Sequence, residues 1–319
     1  MQYLRIEDEI GYSKKRCEIR RRIEDMFLNE GFIQIEPSAF EDFSKYTLLN
    51  KRIKRESMVK VISGGSDVLI LRPDITTNII KSLVPRWQDG LKLRLFYSST
   101  VFRSNEASNV REIRQMGAEY LGEASLDADK DVILSALKVL ESFNGRFILE
   151  MSSSKYINGL LKEIHADEVR QKQLKELIYR KNRYEMINHM EDMKLSKEIY
   201  DALADIMNIQ GSIEAVKAAA RKHCLNEEME EALKELEELN DFIEKEGGKS
   251  YVHYDLSMVT ELDYYDGLIF KGYLPNSYRA IISGGRYDSF TEIFGKRVPA
   301  IGFSIDIDEL TEIKFEEAQ

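Results

Sequence analysis

Residues 100–122, TVFRSNEASNVREIRQMGAEYLG, combine a polar, arginine-rich loop with the pattern of a strand. In the predicted strand, Gln115, Gly117 and Glu119 alternate with Met, Ala and Tyr and therefore share one face. A glycine between two polar side chains leaves room for a ligand to approach the backbone. The stretch predicts a binding face on a strand, although a charged hairpin at the surface has the same signature.

The composition narrows the class of protein. The 319 residues are 43% hydrophobic and 32% charged, which suits one large domain with a smaller one and does not indicate disorder. Neither a bilayer-length apolar run nor a signal-peptide pattern is present, so the sequence predicts a cytoplasmic protein without membrane contact. The net charge of -10 argues against a nucleic-acid partner, because an acidic surface repels phosphates. Cys17 and Cys224 are predicted to be buried, reduced thiols, and the scattered histidines predict no metal site.

The order of patterns along the chain predicts an α+β domain with an insertion. Strand and helix patterns alternate in the first half, whereas residues 155–247 contain no proline and no strand pattern. Strand patterns then return. We therefore predict one antiparallel sheet in a discontinuous core of residues 1–154 and 248–319, interrupted by an all-helical insertion of residues 155–247. The charged run at residues 227–248, EEMEEALKELEELNDFIEKEGG, is interpreted as a solvated helix face.

Two further motifs place polar or aromatic side chains near predicted strands. In LRPDIT, a proline stiffens a turn that presents Asp74 and Thr76, a pattern that is equally typical of helix capping. In VTELDYYDGLIF, residues 259–270, the rings of Tyr264 and Tyr265 stand among carboxylates. This favours a cradle for a small cationic or polar ring, and buried core packing is the alternative.

The motif ISGGRYDSF, residues 282–290, predicts a structural turn near the same site. Gly284 and Gly285 allow positive φ or a close backbone approach. Arg286 and Asp288 are placed to fix such a turn by an ion pair.

The order and spacing of these motifs resemble the catalytic domain of class II histidyl-tRNA synthetases. GFIQIEP (31–37) resembles the dimer-forming first motif, FRSNEASNVREIRQ (102–115) the second, and AIGFSIDIDEL (300–310) the third. The resemblance runs from Gly31 to Leu310. It implies an antiparallel sheet of about six or seven strands flanked by helices, and a dimer formed through the first motif.

The resemblance also implies a pocket for histidine. Carboxylates suit the ammonium group, and Glu119 together with a tyrosine hydroxyl can bond both imidazole nitrogens. Asp74 is shorter than the glutamate usual in the family, and Arg103 is the candidate partner for the carboxylate of the ligand. The implied pocket residues are Asp74, Thr76, Arg103, Gln115, Glu119, Tyr264 and Tyr265.

The ATP end of the site departs from the family pattern. Synthetases use arginines to stabilise charge on the phosphates of ATP. Two of those arginine positions are Thr260 and Glu309 here, and Asn105 stands where the second motif has a glutamate. A carboxylate near a phosphate is strongly unfavourable in a site of low dielectric constant. We therefore predict no catalytic residue, no cofactor and no ATP activation.

A synthetase-like chain of this kind resembles the regulatory subunits of ATP phosphoribosyltransferase. The chain ends nine residues after Leu310, so no anticodon-binding domain is expected. The resemblance implies a non-catalytic subunit that forms a hetero-octamer with a short catalytic subunit. It is required for that subunit's activity and mediates feedback inhibition by histidine in the first step of histidine biosynthesis. A truncated synthetase-like enzyme and a stand-alone histidine-sensing domain are the alternatives. Histidine has two candidate sites, the pocket and the subunit interface.

Overall fold

The structure is a computed structural model, and it describes residues 5–50, 53–62, 64–65, 67–105, 109–143, 146–164, 166–247, 251–259 and 264–313. Its strands are β1 (Ile33–Gln34), β2 (Phe40–Asp42), β3 (Lys60–Ile62), β4 (Val68–Leu71), β5 (Leu93–Ser104), β6 (Val110–Leu121), β7 (Ile148–Ser153), β8 (Gln210–Gly211), β9 (Val252–Asp255), β10 (Leu268–Tyr273), β11 (Ile282–Arg286) and β12 (Ala300–Asp306). Its helices are α1 (Ile6–Asn29), α2 (Phe43–Leu49), α3 (Thr76–Leu83), α4 (Leu126–Phe143), α5 (Ser154–Lys162), α6 (Glu168–Tyr179), α7 (Arg183–Glu191), α8 (Lys197–Asp205), α9 (Ile213–Ala220), α10 (Glu227–Lys245), α11 (Asp288–Glu292) and α12 (Ile307–Glu312). Short 3-10 turns cover Arg55–Ser57, Val84–Arg86, Ile206–Asn208 and Arg221–His223.

One large sheet organises the molecule, with its strands in the order β1-β5-β6-β12-β11-β10-β7-β9-β8. The two edge strands, β1 and β8, have two residues each, and the strands between them form the predicted sheet. Most neighbours are antiparallel, while β1 with β5 and β7 with β9 are parallel. A small second sheet has the order β2-β4-β3. The predicted α+β class with a mostly antiparallel sheet flanked by helices is confirmed.

The first helix packs its apolar stripe on the sheet. Ile19, Ile23 and Phe27 are buried in the main core at helical spacing, and the rings of Phe27 and Phe96 lie 5.5 Å apart. Gly31 has a φ of +80°, a left-handed conformation that favours glycine, and it turns the chain from α1 toward β1. Of the described helices, α1 included, none is long and apolar enough to cross a membrane.

The long hairpin of β5 and β6 brings the second motif to the centre of the sheet. Its strands pair over twelve positions, from Leu93 opposite Leu121 to Ser104 opposite Val110. On its other side β6 pairs with β12, which sets Gln115 opposite Asp306. The second and third motifs are therefore neighbours in space because their strands are neighbours in the sheet.

The segment predicted as an all-helical insertion contains α5 to α10 and also one strand. Gln210 and Gly211 form β8, which pairs with β9 and extends the edge of the core sheet. The prediction is wrong at this point, because two residues of backbone pairing leave no alternating pattern in the sequence. Gly211 has a φ of +130°, a backbone conformation that side-chain-bearing residues rarely adopt.

The charged run of α10 is only partly a solvated face. Lysines of neighbouring helices pair with three of its glutamates, at N–O distances of 2.5 to 2.6 Å. The pairs are Lys130–Glu238 at 2.6 Å, Lys155–Glu235 at 2.5 Å and Lys162–Glu228 at 2.5 Å. The interpretation as a solvated face is therefore incomplete, because these three carboxylates also dock α10 onto α4 and α5.

Candidate functional site

A cavity of about 120 Å³ lies where α3 begins, next to β6 and residues 264–265, and we call it the synthetase-like pocket. It brings together most of the residues that the sequence analysis selected. Asp74, Thr76, Arg103, Gln115, Tyr264 and Tyr265 line it, together with Asn50, Ile53, Ile75, Tyr97, Ser283 and Ser304. Since a buried water needs roughly 10–15 Å³ of such space, the cavity has room for a small polar molecule.

Asp74 is held by a polar network before any ligand arrives. Its Oδ1 accepts a hydrogen bond of 2.7 Å from the backbone N–H of Thr77, so it caps α3. Its Oδ2 accepts from the hydroxyl of Tyr46 and, at 3.3 Å, from Nδ2 of Asn50. Helix capping was the alternative interpretation of LRPDIT, and Oδ1 of Asp74 does cap the helix. The side chain of Asp74 also lines the pocket.

Glu119 lies just beneath the lining and is buried. Its Oε1 accepts a hydrogen bond of 2.8 Å from the hydroxyl of Thr76, and its Oε2 accepts one of 2.6 Å from the hydroxyl of Tyr287. Burial raises the pKa of Glu119 to about 7, although both hydroxyls act in the opposite direction. The carboxyl group of Glu119, which lies beneath the pocket, therefore changes its protonation state near neutral pH.

Tyr264 and Tyr265 line the pocket, and Tyr264 also packs in the hydrophobic core. Their ring centroids are 4.4 Å apart and their hydroxyls 3.3 Å apart, and both side chains line the pocket. Tyr264 also packs in the core, with its ring centroid 5.7 Å from Tyr287 in an edge contact and 5.3 Å from Phe290. The pair is a wall of the cavity that the core fixes from behind.

Gly117, between Gln115 and Glu119, makes room for protein rather than for a ligand. A Cβ at this position would collide with the ring of Tyr97 and the backbone carbonyl of Phe303. Gln115 itself lines the pocket, and its side-chain amide has no hydrogen-bond partner among the described residues. Gln115 on this face of β6 therefore borders the cavity, but the glycine serves the packing beneath it.

Arg103 is the cation of the pocket. It extends from β5, and its Nε donates a hydrogen bond of 3.1 Å to the backbone carbonyl of Pro73. Within the described part of the chain it pairs with no carboxylate. Its position suits the carboxylate of a small ligand.

Arg114, on β6, is already neutralised by carboxylates of the protein. The backbone N–H of Arg114 donates to Oδ2 of Asp308 at 2.9 Å, and its guanidinium lies 3.4 Å from Oδ1 of the same residue. Its Nη2 lies 3.1 Å from a carboxylate oxygen of Glu112. This arginine has little charge left to offer a phosphate.

Glu309, the position in the third motif where the resemblance implies an arginine, lies on α12. Oδ1 of Asp306 accepts a hydrogen bond of 2.9 Å from the backbone N–H of Glu309 and so caps that short helix. Asn105 closes the hairpin loop, where its side chain accepts from the backbone N–H of Asn109 at 2.9 Å. Thr260, the other departure from the family pattern, lies outside the described residues.

The predicted turn at GGRYD is a strand. Gly284, Gly285 and Arg286 belong to β11, and neither glycine has positive φ. A Cβ on either glycine would collide with the backbone of a neighbouring strand, so close strand packing is the reason for the glycines. The ion pair of Arg286 with Asp288 is present at 3.3 Å, but the guanidinium contacts the buried carboxylate of Asp129 more closely.

Several residues of the site were missed from the sequence. Tyr46 and Asn50 stand four residues apart at the end of α2, a spacing that could have indicated a shared face. Tyr97 is buried on β5, and burial in the hydrophobic core raises its pKa well above the ordinary value. An isolated tyrosine in an apolar strand carries no signal that it lines a pocket.

The fold and the pocket define the chain as a histidyl-tRNA synthetase-like protein. The family model described as histidyl-tRNA synthetase matches residues 11–310. A solved structure described as an ATP phosphoribosyltransferase regulatory subunit/histidyl-tRNA synthetase from Bacillus halodurans superposes with a TM-score of 0.85, at 27% identity, over 98% of this chain and 81% of that one. A chain of the ATP phosphoribosyl transferase (HisG:HisZ) complex from Thermotoga maritima has the same fold, with a TM-score of 0.70 and 21% identity over 92% of this chain and 97% of that one.

Curated relatives narrow the class further. A regulatory subunit of ATP phosphoribosyltransferase from Clostridium kluyveri is 31% identical over 92% of this chain and 77% of its own length. The same description applies to a protein of Clostridium acetobutylicum that is 31% identical over 92% of this chain and 74% of its own length. The chain belongs to the family of ATP phosphoribosyltransferase regulatory subunits.

Proposed function

We propose that this chain is the non-catalytic regulatory subunit of an ATP phosphoribosyltransferase in histidine biosynthesis. It assembles in the cytoplasm with a short catalytic subunit, which is the enzyme of the first step. The names of the relatives support the role, and the structure supports the absence of synthetase chemistry.

The proposal that the chain is not catalytic rests on the negative charge at the ATP end of the pocket. Formation of an aminoacyl adenylate needs cations around several phosphates, and this is usually the largest catalytic contribution. Here Arg114 is paired with Asp308 and Glu112, and Glu309 adds another carboxylate on α12. A triphosphate would meet an excess of negative charge at this end.

Histidine is the proposed effector. The ammonium suits the carboxylate of Asp74, the imidazole suits Glu119 with the tyrosine hydroxyls, and the ligand carboxylate suits Arg103. If histidine binds one assembly state more tightly, it shifts the complex toward that state by its differential affinity, typically about 1–3 kcal/mol. The pocket and the subunit interface are the two candidate locations, and the test below separates them.

A dimer through the first motif is part of the proposal. β1 lies at the edge of the sheet, and Ile33 on it is 60% exposed. Phe40 in the small sheet is 50% exposed and Leu28 at the end of α1 is 54% exposed. Large apolar side chains exposed around an edge strand are typical of a surface that a partner covers.

Co-expression with a short phosphoribosyltransferase subunit tests the assembly. We expect the two chains to co-purify and the catalytic activity to depend on this chain. Independent purification of the two chains, with activity unchanged by mixing, would contradict the proposal. Isothermal titration with histidine locates the effector, since Glu119→Gln and Gln115→Ala weaken binding only if histidine occupies the synthetase-like pocket.

An amino-acid-activating enzyme is the second candidate, because the synthetase-like pocket brings Asp74, Gln115 and the paired tyrosines together. Histidine-dependent exchange of pyrophosphate into ATP would establish it. We expect no exchange by the wild-type chain. The variant Asp308→Asn with Glu309→Arg removes one of the two carboxylates that pair with Arg114 and adds a cation, so it should gain affinity for ATP, while Glu56→Arg at an exposed site should not.

A further inference from the structure

A second cavity, of about 150 Å³, lies between the predicted insertion and the core, and we call it the junction cavity. Its walls come from the starts of α4 and α5, the middle of α10, and the ends of β10 and β11. Asp266 and Leu268 line it, whereas Tyr264 and Tyr265, just before them in the chain, line the synthetase-like pocket. The two cavities are therefore separate and share one chain segment.

The junction cavity is lined largely by charged side chains that pair with one another. Asp129 and Asp288 contact Arg286, Glu235 contacts Lys155, and Asp266 lies 3.7 Å from Nη2 of Arg297. These four carboxylates and three cations are nearly balanced. A ligand with a single net charge of either sign would therefore compete with groups that are already paired.

Ser153 is a buried polar group that lines this cavity without a partner. It is 2% exposed, and its Oγ makes no hydrogen bond within the described part of the chain. It stands at the N-cap of α5, a helix of nine residues, yet its hydroxyl does not bond the first turn. A buried hydroxyl without a partner is costly, so a polar atom in the cavity is expected to complete it.

Lys155, in the first turn of α5, also has capacity to spare. Its ammonium donates to Glu235 at 2.5 Å and lies 3.4 Å from Glu231, which uses two of three donors. The N-terminal end of α5 adds the positive end of the helix dipole, although the N–H of Ser154 already donates to the carbonyl of Gly267. This side of the cavity suits a carboxylate.

Asp266 and Asp288 provide acceptors that suit an ammonium group. Oδ1 of Asp288 accepts from Ala300 N–H at 2.8 Å, and the oxygens of Asp266 accept from the N–H groups of Asp288 and Ser289 at 3.0 and 2.7 Å. Each carboxylate has lone pairs beyond these contacts. Charge-assisted hydrogen bonds at both sides favour an ionised ligand over a neutral polyol of the same size.

We propose that the junction cavity is a second ligand site, which binds a small α-amino acid as a zwitterion, with Ser153 and Lys155 at the start of α5 as partners of its carboxylate and Asp266 and Asp288 as partners of its ammonium group. The site braces the helices of the predicted insertion against the core. It does not depend on the role as a regulatory subunit.

Calorimetric titration of the full chain with L-alanine tests the site. Ethylamine and propionate each carry one of its two charged groups, and glycerol carries neither. We expect L-alanine to bind at millimolar concentrations or below and each of the other three to bind at least about tenfold more weakly, because each lacks a charge-assisted hydrogen bond. Equal binding of all four, or no heat with L-alanine, overturns the proposal.

Two neighbouring serines provide a matched pair of variants. Ser152, like Ser153, is buried with an unpartnered Oγ, but it does not line the cavity. Both alanine variants should fold as well as the wild type, because each removes a buried unpaired hydroxyl. Ser153→Ala should weaken L-alanine binding by about tenfold and Ser152→Ala should leave it unchanged.

A variant in the synthetase-like pocket tests whether L-alanine binds there or in the junction cavity. Gln115→Ala alters the synthetase-like pocket alone, so it should leave the affinity for L-alanine unchanged. If Gln115→Ala abolishes binding while Ser153→Ala does not, the ligand lies in the synthetase-like pocket and the proposal is wrong.

Discussion

Glu119 and Asp129 are two buried carboxyl groups that the protein treats in opposite ways. Glu119 is 2% exposed and Asp129 is 1% exposed. Glu119 receives hydrogen bonds from two neutral hydroxyls, whereas Asp129 receives two from the guanidinium of Arg286. One carboxyl group is left without a cation and the other has a permanent one.

The difference separates a group available to a ligand from a group committed to the fold. A carboxylate without a cation is costly to bury, and burial accordingly raises the pKa of Glu119 to about 7. A ligand that brings an N–H donor or a positive charge relieves that cost. Burial raises the pKa of Asp129 as well, but the guanidinium of Arg286 acts against that rise, so this group has less to gain from a ligand.

Removal of the cation from Asp129 should have the largest effect. Arg286→Met leaves a buried carboxylate unpaired, which should lower the free energy of unfolding by about 3–5 kcal/mol. Urea denaturation measures it, and Arg297→Met, at a more exposed ion pair, should cost less than about 1 kcal/mol. The double variant Asp129→Leu with Arg286→Met should recover much of the loss. If Arg286→Met changes the free energy of unfolding only slightly, Asp129 does not depend on its cation, and the contrast with Glu119 is wrong.

Glu119 should give the stability of the wild type a pH dependence. Its folded pKa of about 7 lies above the ordinary 4.5, so the folded chain retains a proton that the unfolded chain has lost. This contribution is fully present below 4.5 and is lost as pH rises to about 7, a change of about 3 kcal/mol. Glu119→Gln should flatten the unfolding free energy over that range. An unchanged slope, with exposed Glu56→Gln as the control, would contradict the raised pKa.

Tyr287→Phe should destabilise the protein by about 1–3 kcal/mol at pH values above 7, because an ionised Glu119 then lacks one of its two donors. The cost should be smaller at acidic pH, where Glu119 is protonated. Tyr273→Phe, whose hydroxyl lies 3.5 Å from Glu150, is the comparison variant. Thermal unfolding at two pH values measures both. Equal costs at the two pH values would show that the hydroxyl of Tyr287 does not support the charged form.

The smallest effect should come from the second hydroxyl. Thr76→Val preserves the shape of the side chain and removes the hydrogen bond of 2.8 Å to Glu119, at a cost of about 1 kcal/mol. Denaturation at neutral pH measures it. A loss larger than that of Tyr287→Phe would reverse the order of importance of the two donors.

The sequence predicts those parts of the site that depend on local patterns. Strand alternation placed Gln115 and Glu119 on one face, and the synthetase-like order of motifs brought them to Asp74 and the paired tyrosines. Asp129 and Arg286 are 157 residues apart, and neither position has a pattern that indicates the other. Their pairing depends on how α4 packs against β11.

Errors in the prediction have local physical causes. Two glycines followed by arginine and aspartate suggested a turn at residues 284–288, but glycine also occurs in strands that approach one another closely. The glutamates of α10 suggested a solvated face, because the lysines that contact them lie far away in the sequence. β8 is too short to leave any pattern.

The position of β12 in the sheet has a consequence for biosynthesis. This strand, residues 300–306, follows every other described strand in the chain, yet it lies between β6 and β11 in the middle of the sheet. During translation, the hydrogen-bonding edges of both neighbours are exposed until the third motif has left the ribosome. Such long-range pairing slows folding and leaves unpaired edges open to aggregation. The nascent chain therefore depends on β12 to close the sheet, and a chain truncated before residue 300 would leave the edges of β6 and β11 unpaired.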